Sequence, residues 1–191
     1  MWVRHEAFVE LLQENPVIAA VKDATGLSRS MDSDCQIVFV LSGNLLGVKE
    51  VVSRVHEAGK LAMVHIDLID GLAARDVAVD FIAESTRADG IISTRSNLVR
   101  RAKARGMLAV QRFFMLDSIA LVNIEKHLSF EAADAVEILP GAMPKVIRRL
   151  AAIVRKPMIA GGLISDKEDV LNALGAGAVA VSSSNPEVWL L

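Results

Sequence analysis

His65 and Asp67 stand two residues apart in the run 61–67, directly before Asp70 and Gly71. In an extended chain that spacing puts both side chains on one face. There Asp67 can accept a ligand hydroxyl or support His65 as an acid–base group, and the plainer alternative is a mutually satisfied pair bracing a strand end. Glu137 interrupts the otherwise apolar run 135–139. A carboxylate inside such a run is paired or bound to something, and the candidates are Lys22, Arg112, a polyol hydroxyl or a metal ion. No metal is assigned, because Asp67, Glu137 and His65 show no local ligand spacing. Lys22 closes one run, and Gln111 and Arg112 close another.

Two further segments have the composition of an anion cradle. Adjacent Gly161 and Gly162 let backbone N–H groups approach a ligand closely. Ser183, Ser184 and Asn185 precede a helical turn opened by Pro186, whose positive end favours phosphate. Either segment alone reads as an ordinary connector. Their joint position, closing the last two apolar runs of the chain, points to a phosphate.

The elements that must position these groups are short apolar runs at 17–22, 37–41, 61–67, 90–93, 107–113, 135–139, 157–160 and 178–182. Most are near-continuous rather than alternating, the pattern of parallel strands buried on both faces. Amphipathic segments at 48–58, 72–85, 97–105, 118–128, 144–154 and 167–174 separate them, so the chain reads as repeated βα units. A faint internal repeat agrees: residues 57–64, 103–110 and 174–181 each stop a helix at Gly59, Gly106 or Gly177 and enter a strand. Ala88-Asp89 and Ala133-Asp134 open two other strands alike.

The expected fold is α/β, a single domain over 1–191 forming a compact (β/α)8 TIM-type barrel, with a doubly wound open sheet as the alternative. Eight units in 191 residues average about 24 each, short for this barrel, so some helices must be shortened or missing. The polar first crossover, 23–34, is the obvious vestigial one. In a barrel, ligands meet the C-terminal strand ends, where the groups above lie.

Composition limits the function classes. The chain is 52% hydrophobic and 23% charged, which excludes a disordered or low-complexity protein. One cysteine, Cys35, cannot form an internal disulfide, and Arg4, Glu6, Glu10 and Glu14 interrupt what a signal peptide would keep apolar, so a reducing cytoplasm is expected. The longest apolar stretch, 37–48, is broken by Ser42, Gly43 and Asn44 and falls short of the roughly 20 residues a membrane helix needs.

The net charge of −2 conceals an uneven distribution. Residues 1–94 carry 8 Lys/Arg and 14 Asp/Glu, whereas residues 95–191 carry 13 and 9. Arg95, Arg100, Arg101, Lys103, Arg105 and Arg112 form one acid-free stretch, and Lys145, Arg148, Arg149, Arg155 and Lys156 another. A solvated helix face is the default for both. With no Tyr and 4% aromatics there is no base-stacking platform, so an RNA contact would rest on cations gripping phosphates, with Arg100, Arg101, Lys103 and Arg105 as the candidates.

Five ordered blocks carry a resemblance: Met63-Val-His-Ile-Asp-Leu-Ile-Asp-Gly71, Gly90-Ile-Ile-Ser-Thr-Arg-Ser96, Val110-Gln-Arg-Phe-Phe-Met-Leu-Asp117, Val136-Glu-Ile-Leu-Pro-Gly-Ala-Met-Pro144 and Ala160-Gly-Gly-Leu-Ile-Ser-Asp166, joined by 176–185. From about Pro16 to Trp189 the chain resembles the glycerol-3-phosphate-responsive antiterminators, the glycerol uptake operon antiterminators of bacteria. The resemblance implies a (β/α)8-type fold, glycerol 3-phosphate as effector with no other cofactor, and the leader mRNA of a glycerol-catabolic operon as target, so that transcription reads through a terminator. Gly161, Gly162, Ser183 and Ser184 match the family's phosphate segments. His65, Asp67, Arg95, Gln111, Arg112 and Glu137 match its polar rim, and Lys22 stands where relatives carry a basic residue. The chain departs from the pattern at Ser182-Ser-Ser184, where Thr is common, and at Asp70, where an uncharged residue is common. RNA-contacting residues do not carry over from the family.

Two function classes therefore stand: a metabolite-sensing RNA-binding regulator without catalysis, and a phosphosugar or glycerophosphodiester enzyme using His65, Asp67 and Glu137. The sequence leaves homo-oligomerisation open.

Overall fold

The computed structural model describes residues 5–126 and 132–191. Its eight parallel strands are β1 (Val17–Val21), β2 (Ile37–Val40), β3 (Leu61–His65), β4 (Gly90–Ser93), β5 (Leu108–Phe114), β6 (Ala135–Leu139), β7 (Met158–Gly161) and β8 (Ala180–Ser183). They pair in chain order and β8 returns to β1, Val17 lying opposite Val181, so the sheet is a closed barrel. Closure removes both edges and excludes the doubly wound alternative.

The crossovers are α2 (Ala24–Met31), α3 (Val48–Glu57), α4 (Asp76–Phe81) running on into a π-helical turn (Ile82–Thr86), α5 (Ser96–Ala104), α6 (Ser118–Lys126), α7 (Pro144–Ala151) and α8 (Lys167–Gly175). Helix α1 (His5–Glu14) precedes the barrel. Among the described residues none of these α-helices exceeds ten residues, which is how the barrel fits its short chain. The crossover 23–34 corrects the expectation that it is vestigial. Asp23 caps α2 by accepting the Gly26 amide at 2.7 Å, and the helix buries Leu27 against the barrel wall. After β8 the described residues form a 3-10 turn (Val188–Leu190). The last two residues of the segment expected at 118–128 lie outside the described residues.

Two apolar layers hold the barrel. An outer layer packs the strands on the helices. The inner one fills the barrel with Ile18, Phe39, Met63, Ile92, Leu108, Val110, Ile159 and others, and Phe8 and Leu12 of α1 join it from below. Helix α1 thus plugs the N-terminal end and leaves the C-terminal end for polar groups.

The faint repeat has a physical basis. Gly59, Gly106 and Gly177 all have positive φ, the left-handed helix stop. Asp89, just before β4, accepts the Ala62 amide at 2.8 Å, and Asp134, just before β6, accepts the Ala109 amide at 2.8 Å. Each aspartate clamps its strand to the preceding one.

Candidate functional site

Inward positions alternate along each strand. Leu108 and Val110 belong to the inner layer, which makes Arg112 the next inward residue of β5. By the same parity Glu137 follows Ala135 on β6, Gly161 follows Ile159 on β7, and Ser182 follows Ala180 on β8. These residues form the polar floor of a cup at the C-terminal end.

Arg112 and Glu137 are buried, at 6% and 0% exposure. Arg112 Nε donates to Glu137 Oε2 at 2.6 Å, and Ser182 Oγ donates to Glu137 Oε1 at 2.6 Å. Of the partners the sequence offered for Glu137, the structure selects Arg112. Gly161 is glycine for this reason: a Cβ there would collide with Glu137 Oε1 and lie 2.5 Å from Ser182 Oγ. The terminal nitrogens of Arg112 have no protein acceptor among the described residues, so the guanidinium keeps donors in reserve.

Above this floor is a cavity of about 290 Å³, with Lys22 at its mouth and Gly162, Leu163, Ser183 and Ser184 along one wall. Gly162 and Leu163 both have positive φ, 73° and 60°. For leucine this is a strained conformation. The Gly141 amide holds the loop, donating to the carbonyls of Gly161 at 2.6 Å and Gly162 at 2.9 Å. The amides of Leu163 and Ser184 have no protein acceptor among the described residues. Ser183 turns its hydroxyl away, donating to the Ile164 carbonyl at 2.7 Å and accepting from the Asn185 amide at 3.0 Å.

Other expected site residues lie elsewhere. The chain turns at a 3-10 segment (Ile66–Leu68), so Asp67 leaves the strand and does not share a face with His65. Its carboxylate accepts from Ser93 Oγ at 3.0 Å, the Thr94 amide at 2.7 Å and Thr94 Oγ1 at 3.0 Å, with Arg95 Nε at 3.8 Å. Asp67 therefore fastens the β4 end and is not among the residues that line the cup. Gln111 has the parity opposite to Arg112 and donates to the Thr94 carbonyl at 3.0 Å. Arg95 is exposed, flanking α5. His65 keeps the inward parity but is 2% exposed, with Nδ1 unpartnered. Burial and the nearby Arg112 charge push its pKa down to about 4, against a smaller opposing effect of Asp67. The imidazole is neutral at physiological pH.

Sequence reasoning missed Ser182 and Leu163. Three serines in a row guarantee that one points inward, but β8 is buried on both faces and only the barrel register shows which. Leu163 carries no composition signal for a left-handed backbone.

The α5 cations are largely committed within the fold. Arg101 makes a two-toothed pair with Asp80 at 2.8–2.9 Å, Arg105 reaches Glu84 at 2.7 Å, and Lys103 holds both oxygens of Asp134 at 2.8 Å. The Arg101 hydrogen bonds hold the Asp80 carboxyl below its ordinary range. Arg100 alone of the four has no such carboxylate among the described residues. Among the described residues no group of three His, Cys, Asp or Glu is placed to hold a metal ion, and no helix is long and apolar enough to cross a membrane.

The Escherichia coli K12 protein YgcP is 44% identical over 183 residues, 96% of each chain. The crystal structure of the glycerol uptake operon antiterminator regulatory protein from Listeria monocytogenes superposes with a TM-score of 0.86 at 34% identity, over 91% of this chain and 94% of that one. A glycerol uptake operon antiterminator-related protein from Thermotoga maritima gives 0.80 at 31% identity, over 92% and 98%. The family model for glycerol-3-phosphate responsive antiterminators matches residues 17–189, from the first residue of β1 to the turn after β8. The chain belongs to the glycerol-3-phosphate responsive antiterminator family.

Proposed function

We propose that the cup binds glycerol 3-phosphate as effector, and that the bound form grips the leader mRNA of a glycerol-catabolic operon to let transcription pass a terminator. The observation that carries this reading is the unspent donor set over a small cavity: the Arg112 terminal nitrogens, the Lys22 ammonium and the amides of Leu163 and Ser184. Lys22 and Arg112 outweigh the single Glu137 charge, so the cup favours an anion. A cavity of about 290 Å³ suits a three-carbon phosphate ester. The phosphate sits on the Leu163 and Ser184 amides beside Lys22, and the glycerol hydroxyls face Arg112 and Glu137.

The same geometry argues for binding without turnover. Both Glu137 oxygens are held by Arg112 and Ser182, Asp67 is fastened to β4, and neutral His65 is buried and not among the residues that line the cavity. A general acid or base must reach the reacting atoms, and none of these carboxylates is free to move.

Calorimetric titration tests the reading. Glycerol 3-phosphate should bind tightly, with glycerol and inorganic phosphate each far weaker, and Lys22→Gln should weaken it. The ester should be recovered unchanged, with or without magnesium. Equal affinity for inorganic phosphate alone, or release of phosphate from the ester, contradicts it.

A further inference from the structure

Of the two acid-free cationic stretches, one is neutralised from within, because Asp80, Glu84 and Asp134 reach the α5 side chains from other elements. The other is not. Lys145 and Arg148 are exposed on α7, one helical turn apart, while Ile147 and Leu150 bury the opposite face. Arg155 and Lys156 follow in the turn that leads into β7. None of these four has a carboxylate partner among the described residues. An ion-paired cation must give up its partner to meet a phosphate, whereas an unpaired one gives up only mobile counterions.

Helix α7 is also joined to the cup. It follows β6, which carries Glu137, and Gly141 in the connection donates its amide to both carbonyls of the Gly161–Gly162 turn. There is no slack at that joint, since a Cβ on Gly141 would lie 2.8 Å from the Ala160 carbonyl carbon. Whatever settles on the Leu163 loop presses on the connection that sets where α7 begins.

We propose that Lys145, Arg148, Arg155 and Lys156 form the RNA-phosphate grip, a basic strip along α7 and the turn after it whose position is set by the effector loop. Lys145 and Arg148 stand about 4.5 Å apart along the helix axis at about 1.5 Å per residue, and Arg155 and Lys156 continue the strip beyond the helix end at Ala151. This inference rests on the RNA-binding reading above and specifies its surface.

The test uses an RNA hairpin that the full-length protein selects from a randomised pool in the presence of glycerol 3-phosphate. Two variants are compared with the parent, Lys145→Gln/Arg148→Gln and Arg155→Gln/Lys156→Gln. Each should weaken hairpin binding roughly 10- to 30-fold at about 0.1 M salt and reduce the salt slope by about 1.4, or about 1.8 for duplex contacts. Glycerol 3-phosphate affinity should stay parental, which shows that the fold and cup are intact. Parental hairpin affinity and slope in both variants overturn the surface while leaving the regulator reading standing. Failure of the parent to select any RNA overturns the regulator reading and this one with it. Loss of effector affinity in both variants also overturns the proposal, because the strip would then belong to the cup.

Discussion

Arg112 and Glu137 meet at 2.6 Å in a site where Glu137 has no exposure at all. Removing one partner of such a pair strands the other charge away from water. Glu137→Ala should therefore destabilise the protein by about 3–5 kcal/mol, read from urea unfolding midpoints. A change under 1 kcal/mol or so would mean that Arg112 finds solvent without its carboxylate. His65 contributes through pH. Its imidazole is neutral in the folded state, with a pKa near 4 against 6.5 in the unfolded chain, so between those values only the unfolded chain is protonated. The associated stability is complete above pH 6.5 and is lost as the pH falls toward about 4, amounting to about 3 kcal/mol. His65→Asn should flatten that part of the stability–pH profile. If the variant and the parent lose stability in parallel across this window, the buried imidazole is not its source.

Among the elements, α1 does the work of a plug. Phe8 and Leu12 are fully buried in the inner layer, at the end of the barrel away from the cup. Phe8→Ala should cost about 3–5 kcal/mol in thermal or urea unfolding, yet leave glycerol 3-phosphate affinity unchanged under conditions where the variant is folded. A loss of effector affinity in the folded variant would show that the two barrel ends are not independent. The strands were the most legible elements, because burial on both faces writes them as continuous apolar runs. The same continuity hid where the third run stops. Ile66 is as apolar as a strand residue, but it is buried in the outer layer while Asp67 turns to the β4 end. The crossover at 23–34 looked too polar for a helix because a single leucine and a capping aspartate suffice against a preformed wall. The α5 cations looked free because their partners are remote in sequence, with Asp80 lying 21 residues before Arg101.

At the scale of the whole molecule, the barrel separates an apolar end plugged by α1 from a polar end, where the cup brings together groups from β1, β5, β6, β7 and β8. That convergence was partly legible. Glu137 and Arg112 stood out because a charge in an apolar run needs a partner, and Lys22, Gly162 and Ser184 do line the cavity. Ser183 also lines the cavity, although its hydroxyl is spent on the Ile164 carbonyl, whereas Gln111 was assigned to the cup and has the opposite parity, since strand parity is invisible when both faces are apolar. In the proposed function an effector in the cup sets the grip on RNA. The direct measurement is fluorescence anisotropy of a labelled leader RNA titrated with the protein at fixed salt, with and without glycerol 3-phosphate. Tight, salt-sensitive binding only when glycerol 3-phosphate is present is the predicted result; equal binding in both titrations, or none in either, would contradict it.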